Sequence, residues 1–324
     1  MQLNSERFFY STRENRIFKK ISFKKNISLK PAKLLYLIFL LILKRKLLRK
    51  IYLLYFFLLA ACFACAQSIV KPVSASYIGP GAYSIHHLDV FSVTSNQAAL
   101  AQIEDLSFGV YGERRFLLGE TNFYSAIVAM PSKQGNFAFQ ADYFGYKNYN
   151  ESQLGIAYAR QVGTKLDLGI KFNYYSFRIP GFESPSTVNF EIGAIVHLTE
   201  TLNAGIHFYN PVGGKLSKTQ NDKLSAVYSF GLGYEASESF LISTEMIKQE
   251  NLPVNICVAV QYNFAKQLFA RFGVDTHDSS PFAGAGISWN NLRLDLSASY
   301  HPQLGISPGL MLIIYPKQKH VDNQ

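Results

Sequence analysis

The chain has 324 residues, 48% hydrophobic and 15% aromatic, with 32 Lys+Arg against 22 Asp+Glu for a formal charge of +10. That charge is not spread along the chain: residues 1–66 hold 14 basic and 2 acidic residues, whereas from Gln67 onward 18 basic residues face 20 acidic ones. A basic surface for nucleic acid is therefore excluded for the part that follows the leader.

Residues 1–66 read as a leader and signal peptide. Lys44, Arg45, Lys46, Arg49 and Lys50 form a cationic stretch, Ile51 to Phe63 an apolar one, and Ala64-Cys65-Ala66 sets small residues before Gln67. The apolar run is too short to cross a bilayer as a helix. An earlier run, Leu34 to Leu43, is shorter still, so residues 1–43 read as an extended n-region or an over-long start. Leu59-Ala60-Ala61-Cys62 also fits a lipobox, whose Cys would be acylated; with a barrel downstream, cleavage after Ala66 is the expectation. That cut leaves Cys257 alone, so no disulfide framework or Cys-based zinc site is expected.

Residues 67–104 carry Pro72, Gly79, Pro80 and Gly81 with weak periodicity and read as an irregular segment. Alternating apolar and polar residues then predict strands at 105–112, 122–132, 135–146, 151–162, 165–179, 186–199 and 202–210. Seven more follow at 226–236, 239–249, 254–265, 267–277, 281–290, 291–301 and 308–316, and 317–324 form a polar C-terminal tail. With no helical period between them, the fold class is all-β, a closed antiparallel transmembrane β-barrel of about fourteen strands spanning 105–316. Closure removes sheet edges, and in hydrocarbon it is the only sheet that leaves no backbone group unpaired. Two secreted β-sandwiches would alternate as well, but no linker divides the chain.

The alternation assigns faces. Leu168 and Ile170 oppose Asp167 and Lys171; Leu294 and Leu296 oppose Arg293 and Asp295; Ile192 opposes Glu191. A cation at the midplane of a barrel's lipid face costs about 2–4 kcal/mol. Asp167, Lys171, Glu191, Arg271, Arg293 and Asp295 are therefore expected in the lumen, with outer-membrane lipid as the partner of the apolar face. The polar face is also rich in Gly, Ala and Ser. Tyr143, Tyr146, Tyr149, Tyr174, Tyr209, Tyr234, Tyr262, Tyr300 and Tyr315, near strand ends, are expected in interfacial girdles.

Gly81-Ala82-Tyr83-Ser84, Asp89-Val90-Phe91-Ser92-Val93 and Asn96-Gln97-Ala98-Ala99-Leu100-Ala101 stand before the first strand. In this order, behind a signal peptide and ahead of fourteen strands, they resemble the FadL-like fatty-acid-transporter superfamily of outer-membrane barrels, in its PorV/PorQ-like branch associated with type IX secretion. Gln97 replaces the family's Pro and Ala99 its Gly. The resemblance implies that residues 67–104 fold into the lumen as a hatch, with Asp89, Asn96 and Leu100 its contact residues and Lys171, Arg271 or Arg293 as partners of the first two. A free periplasmic arm is the alternative. The resemblance also implies an integral protein of a Gram-negative outer membrane that passes a hydrophobic small molecule. An interaction barrel docking a type IX secretion or surface component, without transport, is the alternative.

Enzymatic signals are weak. Gly305-Ile306-Ser307-Pro308-Gly309 has the letters of a nucleophile elbow, but Pro308 lacks the N–H an oxyanion hole needs, and the stretch reads as a turn. His86-His87 reads as a loop pair rather than a metal site. His197 and His207 fall on lumen positions of neighbouring strands, where they can face each other. With Ser229 or Ser243 and Glu245 they would supply a wall hydrolase, a set that chance provides in most barrels. No catalytic residue, cofactor site or metal site is predicted.

Overall fold

The computed structural model describes residues 79–181, 184–213, 223–250, 252–276 and 279–316. The leader with Cys62 and the Ala64-Cys65-Ala66 site, the start of the N-terminal segment at 67–78, and the tail 317–324 lie outside the described residues.

Fourteen strands follow in chain order: β1 (Ser107–Arg114), β2 (Asn122–Met130), β3 (Asn136–Tyr146), β4 (Tyr149–Val162), β5 (Leu166–Arg178), β6 (Ser186–His197) and β7 (Leu202–Tyr209). The second half comprises β8 (Val227–Ser237), β9 (Phe240–Gln249), β10 (Val254–Ala265), β11 (Leu268–Asp275), β12 (Ser280–Trp289), β13 (Leu292–His301) and β14 (Gly305–Ile314). Each pairs antiparallel with its neighbours in sequence, and β14 pairs with β1 to close the barrel. Among the described residues the ladders shift register between Glu235 and Ser237 and between Asn263 and Ala265, each beside a turn.

The expected and observed strands agree to within a few residues, with one instructive difference. The last strand begins at Gly305, so Gly305–Gly309 is strand rather than turn. Pro308 pairs with Ala298 of β13, whereas the ladder to β1 stops at Gly309. A missing N–H is tolerated in such a one-sided stretch. Ser307 is buried there, and its Oγ accepts the Phe116 N–H at 2.9 Å.

Side chains alternate as the pleat demands. Lys171 is 2% exposed and its neighbour Phe172 56%. Outside lie Leu154, Ile156, Leu168, Leu294 and Leu296; inside lie charged and amide side chains. This inverts a water-soluble protein. One rim holds the start of β1, the end of β14 and short turns such as 163–165, 238–239 and 266–267; the other holds the longer connections 115–121, 179–185 and 210–226. These are called the near and far rims below.

Of the expected girdle, Tyr143, Tyr146, Tyr174, Tyr234, Tyr262 and Tyr300 are exposed outside. Tyr149, Tyr209 and Tyr315 instead join the interior cluster. All three share the parity of inward neighbours, Tyr149 with Glu151, Tyr209 with His207 and Tyr315 with Ile313, so alternation, not aromatic type, sets their face.

Candidate functional site

Residues 79–104 lie inside the barrel with three short 3₁₀ segments, Gly79–Tyr83, Val90–Thr94 and Gln97–Gln102. Asp89 and Asn96 start the second and third because short side-chain acceptors satisfy the free N–H groups of a helical turn. Asp89 Oδ1 accepts the Phe91 N–H at 2.9 Å, and Asn96 Oδ1 accepts that of Ala98 at 3.0 Å. Each cap also holds the wall. Asp89 Oδ2 pairs with Arg293 Nη1 at 3.2 Å, and Asn96 Nδ2 donates to the Ile206 carbonyl at 3.1 Å. Asn96 thus meets strand backbone rather than a lumen cation. Leu100 is fully buried, and its carbonyl accepts from Asn136 Nδ2 at 2.8 Å at the near end of β3.

Glycines of the inner wall form the seat. A methyl at Gly169 would fall on the Gln97 backbone, one at Gly193 on the Asn96 amide, and one at Gly231 on the Tyr83 ring. Tyr83 Oη donates to Glu245 Oε1 at 2.9 Å, and burial followed by the nearby Glu245 pushes this phenol well above its ordinary range. Glu235 grips the turn beside it, accepting from Ser84 Oγ at 2.6 Å and from the Ile85 N–H, and pairing with His86 Nδ1. The adjacent His87 diverges and accepts from Gln261 Nε2 at 2.9 Å. Several buried polar atoms in this seat lack a protein partner: His87 Nε2, Ser95 Oγ, Gln97 Oε1 and, on the wall, Asp167 Oδ1.

The lumen charges form four groups. Lys171 Nζ pairs with Glu191 Oε1 at 3.2 Å and donates to Gln140 at 2.9 Å, while Gln97 also donates to Glu191. Arg293 forks onto Asp295 at 2.9 and 2.7 Å, a bidentate geometry, and its guanidinium lies 4.5 Å from the centre of the Phe269 ring. Arg271 donates to Gln261 Oε1 at 2.9 and 2.5 Å. Asp167, fully buried, accepts from Gln102 and meets His197 Nε2, both at 2.8 Å. His197 and His207 do not face each other: His207 stands opposite Gly193 and meets Glu191 at 3.0 Å, while His197 stands opposite Asn203. Ser243 Oγ has no hydrogen-bond partner, Ser229, opposite His207, hydrogen-bonds Glu245, and no group of three or more metal-ligating side chains occurs among the described residues.

The far half of the lumen is aromatic, a feature not anticipated from the small residues of the polar face. Phe123, Phe144, Tyr175 and Tyr209 are buried there, with Tyr149 and Phe177 packed against them. The cluster runs through Tyr111 to Phe91 of the inserted segment, whose ring centre is 6.3 Å from that of Tyr111. Tyr149 and Tyr175 donate to the two oxygens of Glu151 at 2.7 and 2.9 Å. Arg115, from the 115–121 connection, covers Phe123 and Phe144 at 5.3 Å from each ring centre. The adjacent Tyr174-Tyr175 pair was the available signal, since one of two consecutive strand residues must face inward.

Solved structures share this closed barrel. The CymD monoaromatic hydrocarbon channel matches with a TM-score of 0.59 at 14% identity, covering 79% of this chain and 100% of that one. The Ralstonia pickettii toluene transporter TbuX matches with a TM-score of 0.51 at 11% identity, over 75% of this chain and 96% of that one. A Pseudomonas aeruginosa FadL homologue gives 0.51 at 10% identity, over 77% and 98%. At such identities the likeness is one of fold: the chain is a closed fourteen-stranded barrel of the FadL-like architecture. No protein-family model and no curated protein matches the sequence.

Proposed function

We propose that this chain is an integral protein of a Gram-negative outer membrane, a non-enzymatic FadL-like barrel whose N-terminal segment is a displaceable hatch and whose lumen passes a hydrophobic small molecule. The observation that carries the reading is the buried aromatic cluster of the far half, from Phe144 and Tyr175 to Phe91 on the hatch. It would meet an apolar solute with aromatic side chains from the far rim to the plug once these side chains part. The outward apolar face supports the membrane assignment, because water would not tolerate so wide an apolar surface. Strands of about ten residues, tilted, cover the roughly 25 Å apolar band that such barrels present. The hydrocarbon channels that share the fold point the same way. The hatch is a separate segment seated on glycines by hydrogen bonds, which lets it leave without breaking a ladder.

The PorV/PorQ-like alternative, a barrel docking a secretion component, has its own support. The lumen is filled, and the far-rim connection exposes Leu117 and Leu118. Uptake separates the two readings. A Gram-negative host without hydrocarbon channels of its own, expressing this chain, should take up a labelled monoaromatic hydrocarbon or fatty acid faster than the empty host, and Phe144→Asp should abolish the gain. Uptake equal to that of the empty host, with the barrel assembled, would reject passage and favour docking.

A further inference from the structure

Between two near-rim turns and two points of the hatch, Ile85 and Gln102, lies an open cleft of about 420 Å³, within the size range of small-ligand sites. Gln102, Gln161, Thr164 and Thr199 line it with neutral hydrogen-bonding groups. Two full charges join them, Lys165 from the β4–β5 turn and Glu200 from the β6–β7 turn. The turns adjoin, since the His197 N–H donates to the Lys165 carbonyl at 2.9 Å. Neither charge has an ion-pair partner among the described residues. His197 also borders the cleft, but its ring nitrogens are engaged by Asp167 at 2.8 Å and Asn203 at 2.7 Å.

We infer that this cleft binds a zwitterionic group, its anion on Lys165 and its ammonium on Glu200, and that the occupant is the phosphoethanolamine headgroup of a phospholipid. A simple anion would gain Lys165 but meet Glu200, and a simple cation the reverse; a zwitterion satisfies both. The surrounding amides and hydroxyls suit phosphate oxygens. Ile85 and Leu198, 40% and 48% exposed, offer apolar contact to the stem that carries the headgroup. The choice of a lipid rests on the membrane reading, which puts each rim of the barrel at a layer of lipid headgroups. The site also touches the hatch. Ile85 and Gln102 border the cleft, and Gln102 Nε2 donates to Asp167 at 2.8 Å. An occupant therefore touches the inserted segment at the turn after its first 3₁₀ segment and near its C-terminal end.

Native mass spectrometry of the full chain in detergent micelles tests this with phosphatidylethanolamine, phosphatidylglycerol and soluble glycerophosphoethanolamine as probes. Phosphatidylethanolamine should bind about tenfold tighter than phosphatidylglycerol, the effect of one charge-assisted hydrogen bond. Glu200→Lys should abolish that preference, Lys165→Glu should weaken binding of both phospholipids, and the double reversal should restore both affinity and preference. Heat-modifiable gel mobility verifies that each variant is a folded barrel. Equal binding of the two phospholipids, or single reversals that bind as the intact chain does, would overturn the site. Tighter binding of the soluble probe than of phosphatidylethanolamine would overturn the lipid assignment. These readouts do not depend on uptake, so failure of the site and failure of the passage reading are separately visible.

Discussion

Gly231→Ala should open the barrel without dismantling it. The added methyl falls on the Tyr83 ring, which is fully buried. The ring cannot slide along the wall, because Gly205 and Gly233 are already in close contact with Tyr83. The strand itself tolerates alanine, since Gly231 keeps its ladder with Gly205 and Glu245. Expelling the ring forfeits the burial of an aromatic side chain, about 1.5–3 kcal/mol. It also loses the 2.9 Å hydrogen bond to Glu245, about 1–3 kcal/mol for such a bond. A loss of about 2.5–6 kcal/mol shifts the ratio of docked to released hatch by about 10²–10⁴-fold. Planar-bilayer recording of purified protein reads the change as more frequent or larger openings. A heat-modifiable, assembled Gly231→Ala barrel that conducts as little as the unaltered chain would refute the seat as the point of closure.

Burial lowers the His87 imidazole from 6.5 to about 4, with Glu235 opposing the shift and Arg271, His86 and Arg293 adding to it. The docked hatch therefore prefers neutral His87, so docking is complete above pH 6.5 and weakens as pH falls toward 4. Conductance should rise over that window, and His87→Gln should flatten the rise; an unchanged profile in the variant would remove His87 from the latch. Spin labels at Ile170 and Leu294 should contact lipid, while Cys257, buried on the inner face, should resist lipid-phase thiol reagents. Because a one-residue slip exchanges the two faces of every strand, rapid labelling of Cys257 from lipid would refute the register.

The architecture is legible in sequence because period-2 alternation is local. Asp167-Leu168 or Arg293-Leu294 assigns two faces without any knowledge of the partner strand. The aromatic far half was legible by the same parity, since Tyr209 shares the inner face with Asn203 and His207, but its aromatic type and its place at a strand end suggested an interfacial girdle instead. The hatch contacts were legible in part. Asp89 and Asn96 announce turn caps, but their wall partners, Arg293 and the Ile206 carbonyl, stand more than 100 residues away, and no local pattern encodes that pairing. Pro308 misled for the opposite reason: a local breaker is harmless where only one neighbour is paired.

The central claim is that residues 79–101 close a membrane-spanning lumen. Deleting them and recording single-channel currents in planar bilayers tests it most directly, with heat-modifiable mobility verifying that the barrel assembles. The account predicts a stable open conductance in the deleted form and a closed or rarely opening intact chain. Equal, low conductance in both forms would show that the wall side chains close the lumen and that the inserted segment is no hatch.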